Sequence, residues 1–419
     1  MAKKQYKKPT GTQDIYGKRQ KYFQKIEEVA RQISYEYNFE KIETPIIEEE
    51  DLFIRSVGDN TDIVQKEMYA FETKGGDRLA LRPEGTASIV RSYIENDFYK
   101  NPQPVKLFYF GPFFRYERPQ RGRYRQFHQF GLEVLGKDSP ALDSQLIQTF
   151  YQIFKKLDLD VTVKVNSLGD DNCRPDYVKK LKKFLKKDKD KLCEHCQERL
   201  KSNPLRVLDC KNEDCQEVIM NAPQIVDHLC KSCKNKFQSV LEYLDEMDIL
   251  YELDSFLVRG LDYYTNTVFE FFHEDDDLAL GGGGRYDKLV ELMGGRETPA
   301  LGGAMGVERI AEIMEDEDVG FEDMGKKVFL AQLGDSAKKR AFELFEEFRK
   351  EGIPVYESMG RDSLKAQMSR ADKLGAKYTL ILGRQECIKN QIIIREMKTG
   401  KQETVSLDEV VKEIKKRIK

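Results

Sequence analysis

The spacing of hydrophobic residues predicts that the N-terminal part of the chain mixes helices with short strands. Residues 18–38 carry apolar side chains at intervals of three and four, which is typical of an amphipathic helix. A short strand follows and stops at Pro45, and residues 78–81 form another strand. The sequence RPEGT ends that strand before a helix that starts at Ala87. Because strands and helices do not alternate regularly, a doubly wound parallel sheet is not expected.

Two strand-like runs flank an arginine-rich loop in residues 108–136, which predicts an antiparallel hairpin. Arginine presents a planar fork that matches phosphate geometry. Because side chains alternate along a strand, Phe127, Gln129, Gly131 and Glu133 share one face of the second strand. This face therefore carries an aromatic ring, an amide, a gap and an acid in a row, which favours a binding surface for a small molecule. The alternative is a charged hairpin on a solvated surface. The arginines of the hairpin are Arg115, Arg118, Arg121, Arg123 and Arg125.

Strand patterns return after residue 250 and continue in a separate C-terminal block. Residues 256–259 and 267–272 have the character of strands, and the glycine-rich segments LALGGGGRYDKL and LGGAMGVERIAEIM follow them. An acidic stretch with glycine, residues 315–325, predicts a linker. Strands and helices then alternate through residues 326–419, which predicts a compact α/β domain with a basic C-terminal tail.

Residues 171–245 differ from their surroundings in composition and predict a helical insertion. They contain the lysine-rich run KKLKKFLKKDKDK, which indicates a solvated helix face or contact with nucleic acid. Two CxxC units favour a structural Zn²⁺ site over disulfides, with two further cysteines as competing ligands; reduced, partly buried thiols are the alternative. The cysteines concerned are Cys193, Cys196, Cys210, Cys215, Cys230 and Cys233.

Length and composition narrow the class of protein. The 419 residues predict two or three domains, and a hydrophobic content of 40% fits an ordered globular protein. No run approaches the roughly 18 apolar residues that span a bilayer, and the N-terminus lacks the apolar region of a signal peptide. We therefore expect a cytoplasmic protein without a membrane partner. With a net charge of only −3, any nucleic acid would be bound by local basic patches.

Four segments outside the insertion supply complementary polar groups. Neither glycine-rich segment matches a Walker loop or a dinucleotide-binding fingerprint. A nucleotide would therefore have to be held by arginines and an aromatic ring over an antiparallel sheet. Besides the hairpin, the segments RPEGT, LVRGLDYYTNTVFEF, GGGGRYD and GGAMGVER bring Glu84, Thr86, Arg259, Asp262, Tyr263, Tyr264, Glu270, Tyr286 and Arg309.

These segments resemble the motifs of class II aminoacyl-tRNA synthetases, and among them those of the histidyl-tRNA synthetases. The family's second motif corresponds to FRYE, residues 114–117, and RYRQF, residues 123–127; its third corresponds to GGAMGVER. The helix 18–38 and the strand that ends at Pro45 are similar to its first motif, which forms the dimer interface in the family. LVRGLDYYTNTVFEF and GGGGRYDKL match segments peculiar to histidine enzymes. The resemblance covers essentially the whole chain, but Ala304 and the second CxxC unit depart from it.

The resemblance implies an α+β fold: a class II antiparallel sheet flanked by helices in residues 1–325, with a helical insertion at about 171–245. It implies a C-terminal α/β anticodon-binding domain in residues 326–419. The implied activity is the ATP-dependent attachment of L-histidine to its tRNA through histidyl-adenylate, with Mg²⁺, by a homodimer.

The resemblance also implies which residues do the chemistry. A neutral imidazole needs a different partner at each ring nitrogen, and Glu133 and the hydroxyl of Tyr264 would serve the two. The implied catalytic residues are Arg115, Arg259 and Arg309. Histidine would be bound by Glu84, Thr86, Arg115, Gln129, Glu133, Arg259, Tyr263 and Tyr264. ATP would be bound by Arg115, Glu117, Arg123, Phe127 and Arg309. The tRNA would be bound by Arg118 and Gln120.

Two other classes of protein compete with this interpretation. A non-catalytic paralogue, the regulatory subunit of ATP phosphoribosyltransferase, would bind histidine as a signal, but it lacks the anticodon domain. Here residues 326–419 and the three arginines Arg115, Arg259 and Arg309 are present. A pure RNA-binding module would need neither the nucleotide pocket nor the near-neutral charge.

Overall fold

The computed structural model describes residues 6–58, 61–273, 278–320, 328–360 and 363–418. They group into two compact units, Met1–Val319 and Gly320–Lys419. The predicted boundary between residues 325 and 326 lies outside the described residues, as does the second half of the predicted linker. No helix in the described part of the chain combines the length and the apolar character that a membrane span requires.

An eight-stranded, mostly antiparallel sheet forms the centre of the first unit. Its spatial order is β1-β5-β6-β11-β10-β9-β7-β8, with parallel pairing only where β1 meets β5 and β7 meets β8. The strands are β1 (Glu40–Lys41), β5 (Val105–Phe114), β6 (Gln126–Leu135), β7 (Val161–Ser167), β8 (Tyr251–Leu253), β9 (Thr265–His273), β10 (Gly281–Arg285) and β11 (Ala300–Gly306). A small antiparallel sheet beside it contains β2 (Ile47–Glu49), β3 (Tyr69–Glu72) and β4 (Arg78–Leu81). The predicted hairpin is confirmed as β5–β6.

Helices pack on both faces of the large sheet and leave the middle of one face uncovered. The helices of the first unit outside the insertion are α1 (Gly17–Glu36), α2 (Glu50–Val57), α3 (Thr86–Glu95), α4 (Pro140–Lys156), α9 (Leu289–Leu292) and α10 (Val307–Asp316). An aromatic layer joins α4 to the sheet: the ring of Phe150 lies 6.2 Å from that of Phe269 and 5.9 Å from that of Phe271. Since Phe269 and Phe271 point to this side, their neighbours Glu270 and Phe272 point to the opposite face.

The insertion folds into short helices between β7 and β8. They are α5 (Arg174–Leu185), α6 (Glu194–Ser202), α7 (Glu213–Ile219) and α8 (Lys231–Glu246). The two CxxC units do not share a site, contrary to what their repetition suggested. Cys193 and Cys196 lie with Cys210 and Cys215, whereas Cys230 and Cys233 lie with Cys173 and Asp170.

The second unit is a five-stranded sheet with helices. The parallel strands β12 (Val328–Gln332), β13 (Val355–Glu357) and β14 (Tyr378–Leu382) are extended by the antiparallel β15 (Gln391–Glu396) and β16 (Gln402–Ser406). Its helices are α11 (Asp335–Lys350), α12 (Leu364–Lys373), α13 (Arg384–Ile388) and α14 (Val410–Ile418). The predicted α/β alternation is present, but β16 and α13 were not predicted.

The predicted strand at residues 256–259 is wrong. The strand in this region is β8, which ends at Leu253. Leu257 and Val258 are buried in the hydrophobic core without pairing to a neighbouring strand. Burial of the side chains explains the apolar run, and the backbone is left as the loop that carries Arg259.

A buried ion pair anchors the end of β10. The side chain of Arg285 is 2% exposed, and its guanidinium lies 2.8 Å from the carboxylate of Asp143 on α4 and 3.0 Å from that of Asp287. Breaking such a pair by removing one partner is costly, because the other charge remains buried. The pair therefore holds α4 against the sheet.

Replacement of Arg285 by Met is expected to lower the free energy of unfolding by about 3–5 kcal/mol, because the Asp143 carboxylate loses its main partner. The double variant Arg285→Met/Asp143→Leu should recover much of that loss. Urea denaturation followed by circular dichroism measures both. The exposed surface pair of Arg349 with Glu346 supplies the control, since Arg349→Met should change stability by less than about 1 kcal/mol. A loss at Arg285 no larger than that at Arg349 would contradict the expectation.

Candidate active site

The open face of the large sheet has a floor of small residues. Gly131 of β6, Ala304 of β11 and Gly282 of β10 are cross-strand partners in one row, which continues to Glu270 of β9. Directly opposed residues of neighbouring strands point to the same face, so the row leaves a shallow trough across the sheet. The acid Glu270 stands at one end of this trough.

A second row of small residues makes room for Glu133. Glu133 pairs with Gly302, and Gly302 pairs with Gly284. A Cβ at Gly302 would lie 1.5 Å from Oε2 of Glu133, so no residue with a side chain fits there while the carboxyl keeps its position. Likewise a Cβ at Gly131 would lie 2.2 Å from the ring of Tyr109. Glycine at these positions is needed for close approach.

A cavity of about 370 Å³ lies over this floor and is rich in charge. Strand parity places Phe127 and Gln129 of β6 on its wall, with Glu270 and Phe272 of β9. The loop before β9 adds Arg259 and Tyr264, and the first turn of α10 adds Glu308 and Arg309. The remaining charged residues at its wall are Arg115, Glu117, Arg123, Asp209 and Lys211.

Arg115 and Arg123 meet at one carboxylate. A guanidinium nitrogen of Arg115 lies 3.8 Å from Glu117, and one of Arg123 donates to Glu117 over 3.3 Å. Arg115 also donates through Nε to the backbone carbonyl of Pro83 at 2.8 Å, and its guanidinium lies 5.4 Å from the centre of the Phe127 ring. The carboxylate thus holds both arginine forks beside an aromatic plane.

Arg259 and Arg309 come from other parts of the chain. Arg259 forms a close ion pair with Glu270, and its guanidinium lies 5.8 Å from the centre of the Tyr264 ring. Arg309 donates through Nε to the carbonyl of Gly122 at 3.0 Å, which links α10 to the loop of the hairpin. Beside it, Glu308 accepts from the backbone N–H of His128 at 2.8 Å. Four arginines therefore surround one cavity, and each is held by a local partner.

Among the residues that the structure describes, two polar atoms at this cavity are buried without a hydrogen-bond partner. They are the amide oxygen of Gln129 and Nε of Arg259. Buried polar groups are nearly always paired in native proteins, so an unpaired acceptor and an unpaired donor beside a cavity indicate that a ligand completes them.

A buried hydrogen-bond network lies next to the cavity rather than on its wall. The hydroxyl of Thr86 donates to Glu133 at 2.7 Å, and the hydroxyl of Tyr286 donates closely to the other oxygen of Glu133. The carboxyl of Glu84 accepts from the backbone N–H groups of Thr86 and Ala87 at 2.7 and 2.8 Å. Glu84 therefore caps the start of α3, where the helix leaves N–H groups unpaired.

Burial controls the ionisation of this network. Desolvation raises the pKa of Glu133 to about 8; hydrogen bonds from Tyr286 and Thr86 oppose the rise, and the nearby charge of Glu84 adds to it. Burial also raises the pKa of Glu84, against the two backbone hydrogen bonds that favour its charged form. Two neighbouring acids in a dry region therefore do not both ionise readily.

The structure brings together most of the residues that the sequence singled out. Those on the cavity wall are Arg115, Glu117, Arg123, Phe127, Gln129, Arg259, Tyr264 and Arg309. Those behind it, in the buried network, are Glu84, Thr86, Glu133 and Tyr263; the ring of Tyr263 lies 4.6 Å from that of Tyr264. Arg118 and Gln120 are exposed in the β5–β6 loop, away from the wall.

Some cavity residues were missed. Asp209 and Lys211 come from the insertion, and nothing in their local sequence indicates that they reach the sheet. Glu308 stands next to Arg309 in GGAMGVER, so its position in that motif could have pointed to it.

An antiparallel sheet with an arginine-bearing hairpin, a third arginine on the helix after β11 and a separate C-terminal α/β unit is the architecture of a class II aminoacyl-tRNA synthetase. A family model described as histidyl-tRNA synthetase matches residues 11–310, and one described as anticodon binding domain matches residues 327–417. The chain therefore belongs to the histidyl-tRNA synthetase family.

Individual relatives cover nearly the whole chain. The histidine–tRNA ligase of Thermosipho melanesiensis is 46% identical over 410 residues, 97% of this chain and 97% of that protein. The histidine–tRNA ligase of Desulforamulus reducens is 45% identical over 414 residues, 98% of this chain and 99% of that protein. The apo histidyl-tRNA synthetase of S. aureus superposes with a TM-score of 0.82 at 37% identity, covering 98% of this chain and 100% of that one.

The raised pKa of Glu133 makes a prediction about stability and pH. From about pH 4.5 to 8 the folded chain keeps a proton on Glu133 that the unfolded chain has lost, so the free energy of unfolding falls as the pH rises. Glu133→Gln removes this titration and should flatten the fall. Urea denaturation of both proteins at several pH values measures the difference. Parallel profiles for the two proteins would show that Glu133 has no raised pKa.

Proposed function

We propose that the protein attaches L-histidine to its tRNA in two steps driven by ATP. The observation that carries the proposal is the cavity in which four arginines, an aromatic ring and an unpaired amide oxygen converge over a buried acid. Such a cavity suits one ligand with several phosphates and another with a carboxylate and a polar ring. Membership of the histidyl-tRNA synthetase family supports the same assignment.

In the first step, a carboxylate oxygen of histidine attacks the α-phosphorus of ATP. The bond from that phosphorus to the bridging oxygen breaks, and pyrophosphate leaves. Both reactants are anionic, so the protein must bring like charges together and neutralise them. Arg115 would hold the α-phosphate, and Arg259 would sit between that phosphate and the histidine carboxylate. Nε of Arg259, buried and unpaired, is a donor ready for this contact.

The rest of ATP would be held by groups on the same wall. Arg123 and Arg309 would bind the outer phosphates, Glu117 would orient the two arginines that it contacts, and Phe127 would stack on adenine. Mg²⁺ usually binds through one or two carboxylates together with substrate phosphates. Glu117 at the cavity wall fits that need, and Mg²⁺ bound there would neutralise part of the phosphate charge.

Histidine would lie between the cavity and the buried network. Gln129, with its unpaired amide oxygen, would accept from the α-ammonium group, together with Glu84 and Thr86. Glu133 would accept from one imidazole nitrogen, and Tyr264, which is on the wall, would serve the other. Tyr263 packs against Tyr264 and would fix its ring. Since Thr86 and Tyr286 already bond to Glu133, the acid is oriented before the substrate arrives.

In the second step, a hydroxyl of the terminal adenosine of the tRNA attacks the carbonyl carbon of the adenylate, and AMP leaves. Arg118 and Gln120 are exposed in the β5–β6 loop, the part of the hairpin that is free to meet the acceptor end. The second unit matches an anticodon binding domain and would bind the other end of the tRNA. Its last helix carries Lys415, Lys416 and Arg417, which suits an RNA backbone.

The exchange of pyrophosphate into ATP tests the first step. Wild-type protein should catalyse exchange only when L-histidine is present. Arg259→Gln is expected to lower kcat by about 10²–10³-fold, because one preorganised donor to the transition state is lost.

Glu133→Gln should raise KM for histidine by about ten- to a hundredfold and leave KM for ATP unchanged.

Arg349→Gln, a change at an exposed surface pair, is the control and should leave exchange unaltered. In charging assays, Arg118→Ala should raise KM for tRNA while exchange persists. A purified chain that binds histidine but supports no exchange would instead be the non-catalytic histidine-binding paralogue.

We further propose that the protein works as a homodimer through the region of α1 and β2. Tyr35, Ile46 and Ile47 are 54%, 41% and 46% exposed, which leaves apolar side chains uncovered around the segment that follows β1. Multi-angle light scattering at micromolar concentration is expected to give twice the chain mass. Ile47→Lys should shift the mass toward that of one chain. A wild-type protein of single-chain mass would contradict the proposal.

A further inference from the structure

Seven of the eight cysteines gather in two clusters in or next to the insertion. Cluster A contains Cys193, Cys196, Cys210 and Cys215, and cluster B contains Asp170, Cys173, Cys230 and Cys233. In each cluster the four possible ligand atoms lie within 4.8 Å of one another. Cys387, in the second unit, belongs to neither, and all eight cysteines are free.

The ligand geometry of cluster A fits a tetrahedral ion. The sulfur atoms of Cys193 and Cys210 are 3.8 Å apart. Four sulfurs at about 2.3 Å from a central Zn²⁺ would be separated by about 3.8 Å along each edge of the tetrahedron. The backbone N–H of Cys193 donates to the sulfur of Cys215 at 3.2 Å, a contact that favours a thiolate. Cys196, Cys210 and Cys215 are buried, so the site would be closed to solvent.

Cluster B has the same spacing with a different donor set. The sulfurs of Cys173 and Cys233 are 3.8 Å apart, and Oδ1 of Asp170 lies 3.4 Å from the sulfur of Cys173. The backbone N–H of Cys233 donates to the sulfur of Cys230 at 3.5 Å. Three thiolates and a carboxylate are also ligands that zinc accepts, whereas the harder ions Mg²⁺ and Ca²⁺ prefer oxygen alone.

We propose that each cluster binds one structural Zn²⁺, so that the chain carries two. Both sites provide four protein ligands, which leaves no open position for a substrate or a reactive water. The ligands of each site come from segments that are well separated along the chain. Cys193 and Cys215 show this in cluster A, and Cys173 and Cys233 show it in cluster B. Each ion would therefore fix the path of the insertion, not only a local turn.

Cluster A lies directly behind the active-site cavity. Cys210 stands between Asp209 and Lys211, whose side chains form part of the cavity wall. The helical turn before it is tied to the loop of Arg259: Arg206 donates to the carbonyl of Gly260 at 2.5 Å, and Asn203 donates to Asp262 at 2.8 Å. An ion on Cys210 would hold this part of the insertion against the catalytic loop.

Cluster B closes the base of the insertion. Asp170 and Cys173 follow β7, where the insertion begins, and Cys230 and Cys233 stand at the start of α8, its last helix. The adjacent Arg174 donates to the backbone carbonyl of Tyr264 at 2.7 Å. The second ion would thus tie the two ends of the insertion together beside the tyrosine that faces the substrate.

Metal analysis of the untagged full-length chain, by inductively coupled plasma mass spectrometry, tests the proposal without reference to catalysis. Wild-type protein is expected to contain two zinc ions per chain, one for each cluster. Cys210→Ser and Cys230→Ser should each contain one, and the double variant none. Cys387→Ser, which alters a cysteine outside both clusters, is the matched control and should keep two.

Two further measurements cover the case in which a serine variant does not fold. Wild-type chain produced in cobalt-supplemented medium should show thiolate-to-cobalt charge-transfer absorption, and so should Cys387→Ser. In the native wild-type chain, Ellman's reagent should react rapidly with Cys387 alone, and with all eight thiols after denaturation with a chelator and no reductant.

Each contrary result would refute a specific part of the two-zinc proposal. Less than one zinc per chain, with no cobalt band, would refute both sites. One zinc that Cys210→Ser abolishes would refute cluster B, and one that Cys230→Ser abolishes would refute cluster A. Fewer than eight thiols in the denatured, unreduced chain would show disulfides in place of metal. Loss of pyrophosphate exchange with zinc intact would count against the proposed function and leave this inference standing.

Discussion

The architecture of the site depends on one steric constraint, the absence of side chains along the middle of the large sheet. A Cβ at Gly302 would overlap the carboxyl of Glu133, and one at Gly131 would overlap the ring of Tyr109. Glycines weaken a strand because they add no packing and lose much conformational freedom on folding. The opposite face offsets this weakness, since Phe150, Phe154 and Phe271 pack there in a continuous aromatic layer. One face of the sheet is thus filled by aromatic packing, while the middle of the other face is left open for ligands.

The electrostatics of the cavity depend on this floor of small residues. A carboxyl set into it is desolvated, and this burial raises the pKa of Glu133. Three of the four arginines around the cavity are held by Glu117 and Glu270. Ligand phosphates and a carboxylate would replace these internal partners, so the guanidinium groups need little reorganisation when the ligands bind. A site arranged in advance in this way stabilises charge in the transition state more than flexible side chains in water would.

The sequence could predict those parts of the site that depend on local geometry. Strand alternation placed Phe127 and Gln129 on the cavity side and Glu133 on the same face, because a strand has only two faces. It could not show that Glu84 caps α3 or that Tyr286 bonds to Glu133, since these contacts join distant segments. It misassigned residues 256–259, where Leu257 and Val258 are buried without strand pairing. It also suggested that the two CxxC units share one site, because the role of Cys173 is invisible until the chain folds back on itself.

The insertion shows why contacts of this kind matter for chemistry. Its short helices are rich in lysine, and a segment of this size buries little apolar surface of its own. Its core joins that of the catalytic unit, where Leu181 and Val207 fall in the same cluster as Tyr263 and Val268. Hydrophobic contact alone fixes how far apart two segments lie but hardly fixes their orientation. The side chains of Asp209 and Lys211 and the loop of Arg259, however, must be oriented toward the cavity. The hydrogen bonds of Asn203 and Arg206 orient that loop only if the backbone that carries Asn203 and Arg206 is itself held in place. A closed tetrahedral centre at Cys210 would fix it at the point where the insertion reaches the cavity.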